Sequence, residues 1–181
     1  MPQAVAHFLI PALLAALFRD YYIKKQDKRK FPLHYVLIAG LGGVLPDLDV
    51  AAFWVLYFFG FTVDEVHRGI THTLLFVVIF AVIGIFTRRT HFSSLRKHKL
   101  NLGVIFFLLA FGIFTHIALD AAIAGHNIRP LYPFSSQEVN FDLVNYLPYD
   151  LRSLAAPTFD AIFLLVWIVY LELKHKISDF I

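Results

Sequence analysis

The sequence contains no cysteine and a single methionine. The first absence excludes disulfides, thiolate zinc sites, iron–sulfur clusters and cysteine nucleophiles, and it carries no information about redox compartment. Charge is scarce as well. Lys, Arg, Asp and Glu make up 16% of the 181 residues, where a soluble domain carries about a quarter. Residues 1–181 also lack tandem repeats, low-complexity tracts and any linker long enough to separate two domains, so they read as one membrane domain. Apolar length replaces charge: 59% of the residues are hydrophobic and the mean hydropathy is +0.67. Five segments, about 2–22, 34–59, 70–87, 101–124 and 157–173, reach the roughly 17–25 residues that a span requires. The expected fold is an all-α polytopic membrane helix bundle of about five transmembrane helices. The opening "MPQAVAHFLIPALLAALFRDYYIKK" has the apolar core of a signal peptide but no positive leader, and its basic residues follow the apolar run. It reads as a retained first helix with its N-terminus outside.

Basic residues fall in two loops. Arg19, Lys24, Lys25, Lys28, Arg29 and Lys30 occupy 19–30, and Arg88, Arg89, Arg96, Lys97 and Lys99 occupy 88–99. Both loops are expected in the cytoplasm, as is the tail with Lys174 and Lys176. The net charge of +3 is then a topology signal, and no nucleic-acid partner is expected. A re-entrant hairpin with its tip at "LPDLD" (45–49) would put the second basic loop outside, whereas one crossing by 34–59 keeps every basic loop inside. As a helix that segment would measure about 39 Å, against a hydrocarbon core of ~30 Å. The excess leaves room for an interruption at Gly42-Gly43 and Pro46. The C-terminus is accordingly placed in the cytoplasm of a plasma (inner) membrane protein.

Ionisable residues inside spans are expensive and mark function by default. At ~1.5 Å per residue, His7 lies about 9 Å into the first helix, Asp47 about 10 Å and His116 about 8 Å below the outer face. Asp120 sits one turn above His116, and His72 lies just inside the outer end of the third span. Segments of opposite direction thus deliver polar residues to one depth. His116 and Asp120, in "THIALD", are i and i+4 and share a helix face. Asp47 and Asp49 flank a leucine beside a proline, and His67 and His72 straddle Gly69 in "HRGITHTLL". With His7 these make four imidazoles and three carboxylates on the extracytoplasmic side. A tetrahedral ion with one open position uses about three protein ligands, so seven suit one ion with outer partners or two ions sharing a carboxylate. Nitrogen and oxygen donors without sulfur fit Zn²⁺, Mn²⁺ or Fe²⁺ alike.

Loop 125–156, about 32 residues long, exceeds an ordinary connection and is expected to form a lid, a short interfacial helix or a substrate cover. His126, Arg129 and Tyr132 stand in it. Together with Arg68, its basic members suit an anionic head group such as phosphate, which guanidinium binds bidentately. His34, His91, His98 and His175 lie by the basic segments and read as solvated. Glu172 and Lys176 read as a surface pair. Asp160, just after Pro157, reads as a first-turn carboxylate favoured by the dipole of the last helix.

These blocks, "LPDLD" (45–49), "HRGITHTLL" (67–75), "THIALD" (115–120) and "GHNIRPLYPFS" (125–135) with His7 ahead of them, resemble the YdjM-like family of inner-membrane proteins, described as membrane-bound metal-dependent hydrolases. The resemblance covers most of the chain in the same order, and the HRGxTH block is its most specific part. It implicates His7, Asp47, Asp49, His67, Arg68, His72, His116 and Asp120. Asp120 is followed by "AAIAGH" without the threonine frequent in the family, while Tyr132-Pro133 keeps the aromatic–proline pair. The resemblance implies a reaction class similar to that of zinc-dependent phospholipase C-type phosphodiesterases. The expected activity is hydrolysis of a phosphoester in a lipid or envelope component, with one or two divalent ions, foremost zinc, activating water. Arg68 would stabilise developing charge, and Asp47 or Asp49 would act as general base. The alternatives are a non-catalytic metal-binding or metal-transport protein, and a scaffold whose polar cluster holds the helices together.

Overall fold

A bilayer interior offers no partner to a backbone N–H or C=O, so each apolar stretch must close its own hydrogen bonds as a helix. The computed structural model describes residues 4–23, 31–62, 66, 69–90, 92–123 and 127–175. Helix α1 spans Ala4–Leu17 and runs on into a π turn at Phe18–Tyr22. Helix α2, His34–Val44, passes through a 3₁₀ turn at Leu45–Asp47 into α3, Leu48–Leu56. A 3₁₀ turn at Ile70–His72 leads into α4, Leu74–Thr87. The short α5, Ser93–Lys97, precedes α6, Leu102–Ile123, and the chain closes with α7, Tyr149–His175. Among the described residues the only strand-like pairing is an isolated antiparallel bridge, Ile128 with Val139.

Among the described residues four segments are long and apolar enough to cross a membrane: Ala4–Tyr22, His34–Phe59, Leu102–Ile123 and Tyr149–Lys174. The fifth apolar helix, α4, has 14 residues. The interrupted second span is present as one continuous segment, broken where Pro46 removes a donor and the backbone tightens to 3₁₀.

The last helix differs from expectation. It begins at Tyr149 instead of 157 and carries Pro157 in its interior, as neighbouring groups in membrane helices permit. Asp160 is therefore not a first-turn residue of its own helix. Its Oδ1 accepts the backbone N–H of Ala6 at 2.9 Å, one of the N–H groups that the first turn of α1 leaves without an intrahelical partner.

Helices α1, α2 and α6 pack against one another, α4 packs on α6 and α7 on α1. In lipid this association rests on close van der Waals contact between small residues. Ala12, Ala15, Ala16 and Ala39 are buried along the seam between α1 and α2. Two glycines set the spacing near the break. A Cβ on Gly43 would lie 2.0 Å from the carbonyl oxygen of His7, and one on Gly112 would lie 2.4 Å from that of Ala39. Large apolar residues such as Trp54, Phe86, Leu165 and Leu173 point outward, as the lipid-facing side of a bundle requires.

One end of the bundle is tied by polar contacts. Tyr35 Oη accepts the N–H of Asn101 at 2.7 Å, Asn101 Nδ2 donates to the Arg88 carbonyl at 3.0 Å, and Arg19 Nε donates to the Phe31 carbonyl at 3.0 Å. Tyr170 Oη donates to Asp20 Oδ2 at 2.5 Å, and the Lys174 ammonium lies 4.7 Å from the centre of the Tyr21 ring. The buried histidines gather toward the other end.

Candidate metal centre

Five elements bring six ionisable residues together. His7 stands in the first turns of α1, Asp47 closes the 3₁₀ break, Asp49 opens α3, His72 ends the 3₁₀ turn before α4, and His116 and Asp120 lie one turn apart on α6. The break matters because it turns Asp47 and Asp49 toward the bundle where a straight helix would part them. The tight seam at Gly43 and Gly112 matters because it lets α6 approach the α2 backbone. His116 Nδ1 donates to the Gly43 carbonyl at 2.7 Å. A carbonyl can only accept, so the proton of His116 is on Nδ1 and its Nε2 presents a lone pair to the cluster.

His72 is oriented in the same sense by a different device. Thr71 Oγ1 donates to Asp49 Oδ2 at 2.8 Å and accepts from His72 Nδ1 at 3.0 Å. Its Nε2 is thereby directed at His116 Nε2, 3.2 Å away. Two imidazole lone pairs at this separation repel unless a positive charge, a proton or a metal ion, lies between them. Around the pair are Asp47 Oδ1, 3.6 Å from each Nε2, and Asp120 Oδ2, 3.7 Å from that of His72 and 3.5 Å from that of His116. A tetrahedral ion with bonds of 2.0–2.1 Å holds its donor atoms about 3.3 Å apart. The observed separations of 3.2–3.7 Å therefore fit an ion set between the two imidazoles and either carboxylate after small adjustments. The donor chemistry, two imidazoles and two carboxylates, fits as well.

His7 Nε2 approaches the other carboxylate oxygen, Asp120 Oδ1, at 3.2 Å, and its ring lies 4.1 Å from that of His116. Two of the ligand triads that can be drawn among the described residues are His7–His116–Asp120 and Asp47–His72–His116. Both need His116. With Nδ1 committed to Gly43, its one remaining nitrogen serves one ion at a time.

The cluster is closed on most sides. His72 and His116 are each 1% exposed, whereas the Asp47 side chain is 37% exposed and marks the open side. Asp49, at 5% side-chain exposure, faces inward toward Thr71. The long connection is anchored beside this opening. Ile128 is buried with Ile113, Ile117 and Ala121, the Pro130 carbonyl accepts the N–H of Leu74 at 2.8 Å, and the Ala121 carbonyl accepts that of Phe141 at 2.8 Å. Arg129 stands between two of these anchors, its Nε and Nη2 both donating to Glu138 Oε1 at 3.1 and 2.8 Å. The guanidinium holds the Glu138 carboxyl below the usual carboxylate range. Tyr132 is 41% exposed.

His67, Arg68 and His126, also expected in the site, lie outside the described residues. Two contributors are absent from the sequence-based set. Thr71 had a signal, a hydroxyl next to His72 within the HRGxTH block. The Gly43 carbonyl had none, since a backbone acceptor leaves no mark on residue type.

No curated protein and no solved structure matches the chain. A family match covers residues 1–176, and with it the break, the buried histidines and every helix described above; by that match the chain, an integral membrane protein, belongs to the YdjM inner membrane protein family.

Proposed function

We propose that the cluster binds a single divalent cation, foremost zinc, through His72, His116 and Asp120, with the fourth position left to water on the side of Asp47, and that the protein hydrolyses a phosphoester of a lipid or envelope component on the extracytoplasmic side. One observation carries the reading: two buried imidazoles face each other through Nε2 at 3.2 Å, each with its Nδ1 already hydrogen-bonded. When bound, such an ion supplies the Lewis acidity that lowers the pKa of water and polarises a phosphoryl group. The chain does the rest. His7 holds the outer oxygen of Asp120 and so fixes the carboxylate's angle. Asp47, on the open side, is the carboxylate placed to take a proton from an entering water. Arg129 beside the opening and Arg68 in the HRGxTH block supply guanidinium groups for an anionic head group. Against metal transport, the seam below the cluster is filled by apolar and small residues, Ala12, Ala39 and Ile113 among them, with no polar path among the described residues.

The test is metal content and lipid phosphoester turnover in protein purified without chelator. The wild type should carry about one ion per chain. His72→Ala and His116→Ala should lose it and any hydrolysis, while His34→Ala changes neither. Arg68→Lys should keep the metal and lose much of the activity, since an ammonium cannot reproduce the bidentate fork. A metal-free wild type sinks the site. A loaded but inert one that passes cations across vesicles turns the reading to transport.

A further inference from the structure

Resting on that reading, we infer that Asp49 is not a metal ligand and acts instead through Thr71, a positioning residue that fixes the ring of His72. Asp49 Oδ2 is turned to the Nδ1 side of His72, 3.4 Å from that nitrogen, whereas Asp47 and Asp120 meet the ring on its Nε2 side. The same Asp49 oxygen receives the Thr71 hydroxyl proton at 2.8 Å. A hydroxyl that donates its only proton to a carboxylate has lone pairs left, so its contact with His72 Nδ1 at 3.0 Å makes the imidazole the donor. The relay runs from ring N–H to hydroxyl to carboxylate. It is the arrangement by which a carboxylate raises the donor strength of an imidazole and holds it in one tautomer, here lengthened by one side chain.

The two histidines of the centre are thus oriented by unlike means. His116 is held by a backbone carbonyl, which mutation of side chains cannot remove. His72 is held by two side chains, one of them buried and charged. The relay has local causes. The 3₁₀ turn Ile70–His72 sets Thr71 and His72 side by side, and the helix break presents Asp49 to them. The same turn is braced by Thr73, whose Oγ1 donates to the Ile70 carbonyl at 2.7 Å.

The experiment titrates Co²⁺ into the purified, metal-stripped full chain in detergent, following ligand-field absorption, with apo-protein melting recorded for each variant. His72→Ala should abolish the spectrum. Thr71→Val, which keeps the shape and removes the hydroxyl, should weaken binding about 10–100-fold, the usual cost of losing an outer partner. Thr71→Ser should restore most of it. Asp49→Ala should weaken binding to a similar degree with the absorption envelope of the wild type retained, and the Thr71→Val/Asp49→Ala double variant should be no weaker than either single one. The inference is overturned if Thr71→Val binds as the wild type does. It is equally overturned if Asp49→Ala changes the spectrum and its loss adds to that of Thr71→Val, because Asp49 is then a direct ligand. If Thr71→Val fails to melt as a folded protein, Thr71→Ser and Asp49→Ala decide alone: Thr71→Ser binding as weakly as Asp49→Ala overturns the relay. A wild type that binds no Co²⁺ removes the metal centre itself, an outcome none of the variant comparisons can mimic.

Discussion

Asp160 shows how one carboxylate can join two helices. The first turn of α1 leaves N–H groups without intrahelical acceptors, and in lipid each such group costs several kcal/mol. Asp160, from the middle of α7, supplies an acceptor to one of them at Ala6, next in sequence to His7. A local contact therefore sits beside the candidate metal centre. Asp160→Ala should cost about 1–2 kcal/mol, the range for loss of a helix-capping acceptor, whereas Asp160→Asn, which keeps a carbonyl oxygen, should cost much less. Thermal unfolding in detergent measures both. Equal losses in the two variants would show that charge, and not the acceptor, is what α1 needs.

Among the elements, the seam of α1, α2 and α6 is the most constrained. A methyl group on Gly43 would collide with the His7 carbonyl, and the only relief is to separate α1 from α2. Gly43→Ala should then destabilise the fold by about 1–3 kcal/mol or more, as overpacking does, and should lower bound metal because His7 and the Gly43 carbonyl that orients His116 move apart. A variant with full metal content and unchanged melting would contradict this. The segment joined by the Ile128–Val139 bridge responds to pH in a defined direction. Glu138 has a depressed carboxyl pKa, through its Arg129 and Asn127 hydrogen bonds. Its contribution is present above the ordinary Glu value of about 4.3 and lost as pH falls through the lower folded value. Amide protection at Ile128 and Val139, which form the bridge, should therefore hold at neutral pH and fall only on acidification below that range. Glu138→Gln should show no such step. The same elements indicate what a sequence can reveal. His7, Asp47, Asp49, His72, His116 and Asp120 were legible because the helical rise is uniform, so counting along oppositely directed spans gives depth. The start of α7 was not, because Pro157 reads as an N-terminal residue by local rules and is tolerated mid-helix only through its surroundings. The partner of Arg129 was not legible either, since Glu138 comes to it by a fold-back of the loop and not by helical spacing.

At the scale of the molecule the two ends are unlike. Arg19, Arg88, Arg89 and Lys174 lie at one, and the open side of the metal cluster is toward the other. With the basic end in the cytoplasm, reporters fused after residues 26 and 94 should read as inside, and those after 64 and 140 as outside. A cytoplasmic signal at 64 together with an external one at 94 would invert the assignment of the third span. The basic loops lead the sequence to expect this polarity, whereas the depth of the opening has no such signal, because it depends on how far α4 reaches. That helix has 14 residues, about 21 Å at 1.5 Å per residue, against a hydrocarbon thickness of ~30 Å. A span this short is accommodated by a bilayer that thins around it. On the proposed function, thinning beside α4 would bring the glycerol and head-group layer down toward the level of His72, and an ester linkage would reach the site by lateral diffusion without its lipid being lifted from the leaflet. Acyl-chain length in the surrounding membrane, through its effect on thickness, would then be a determinant of access.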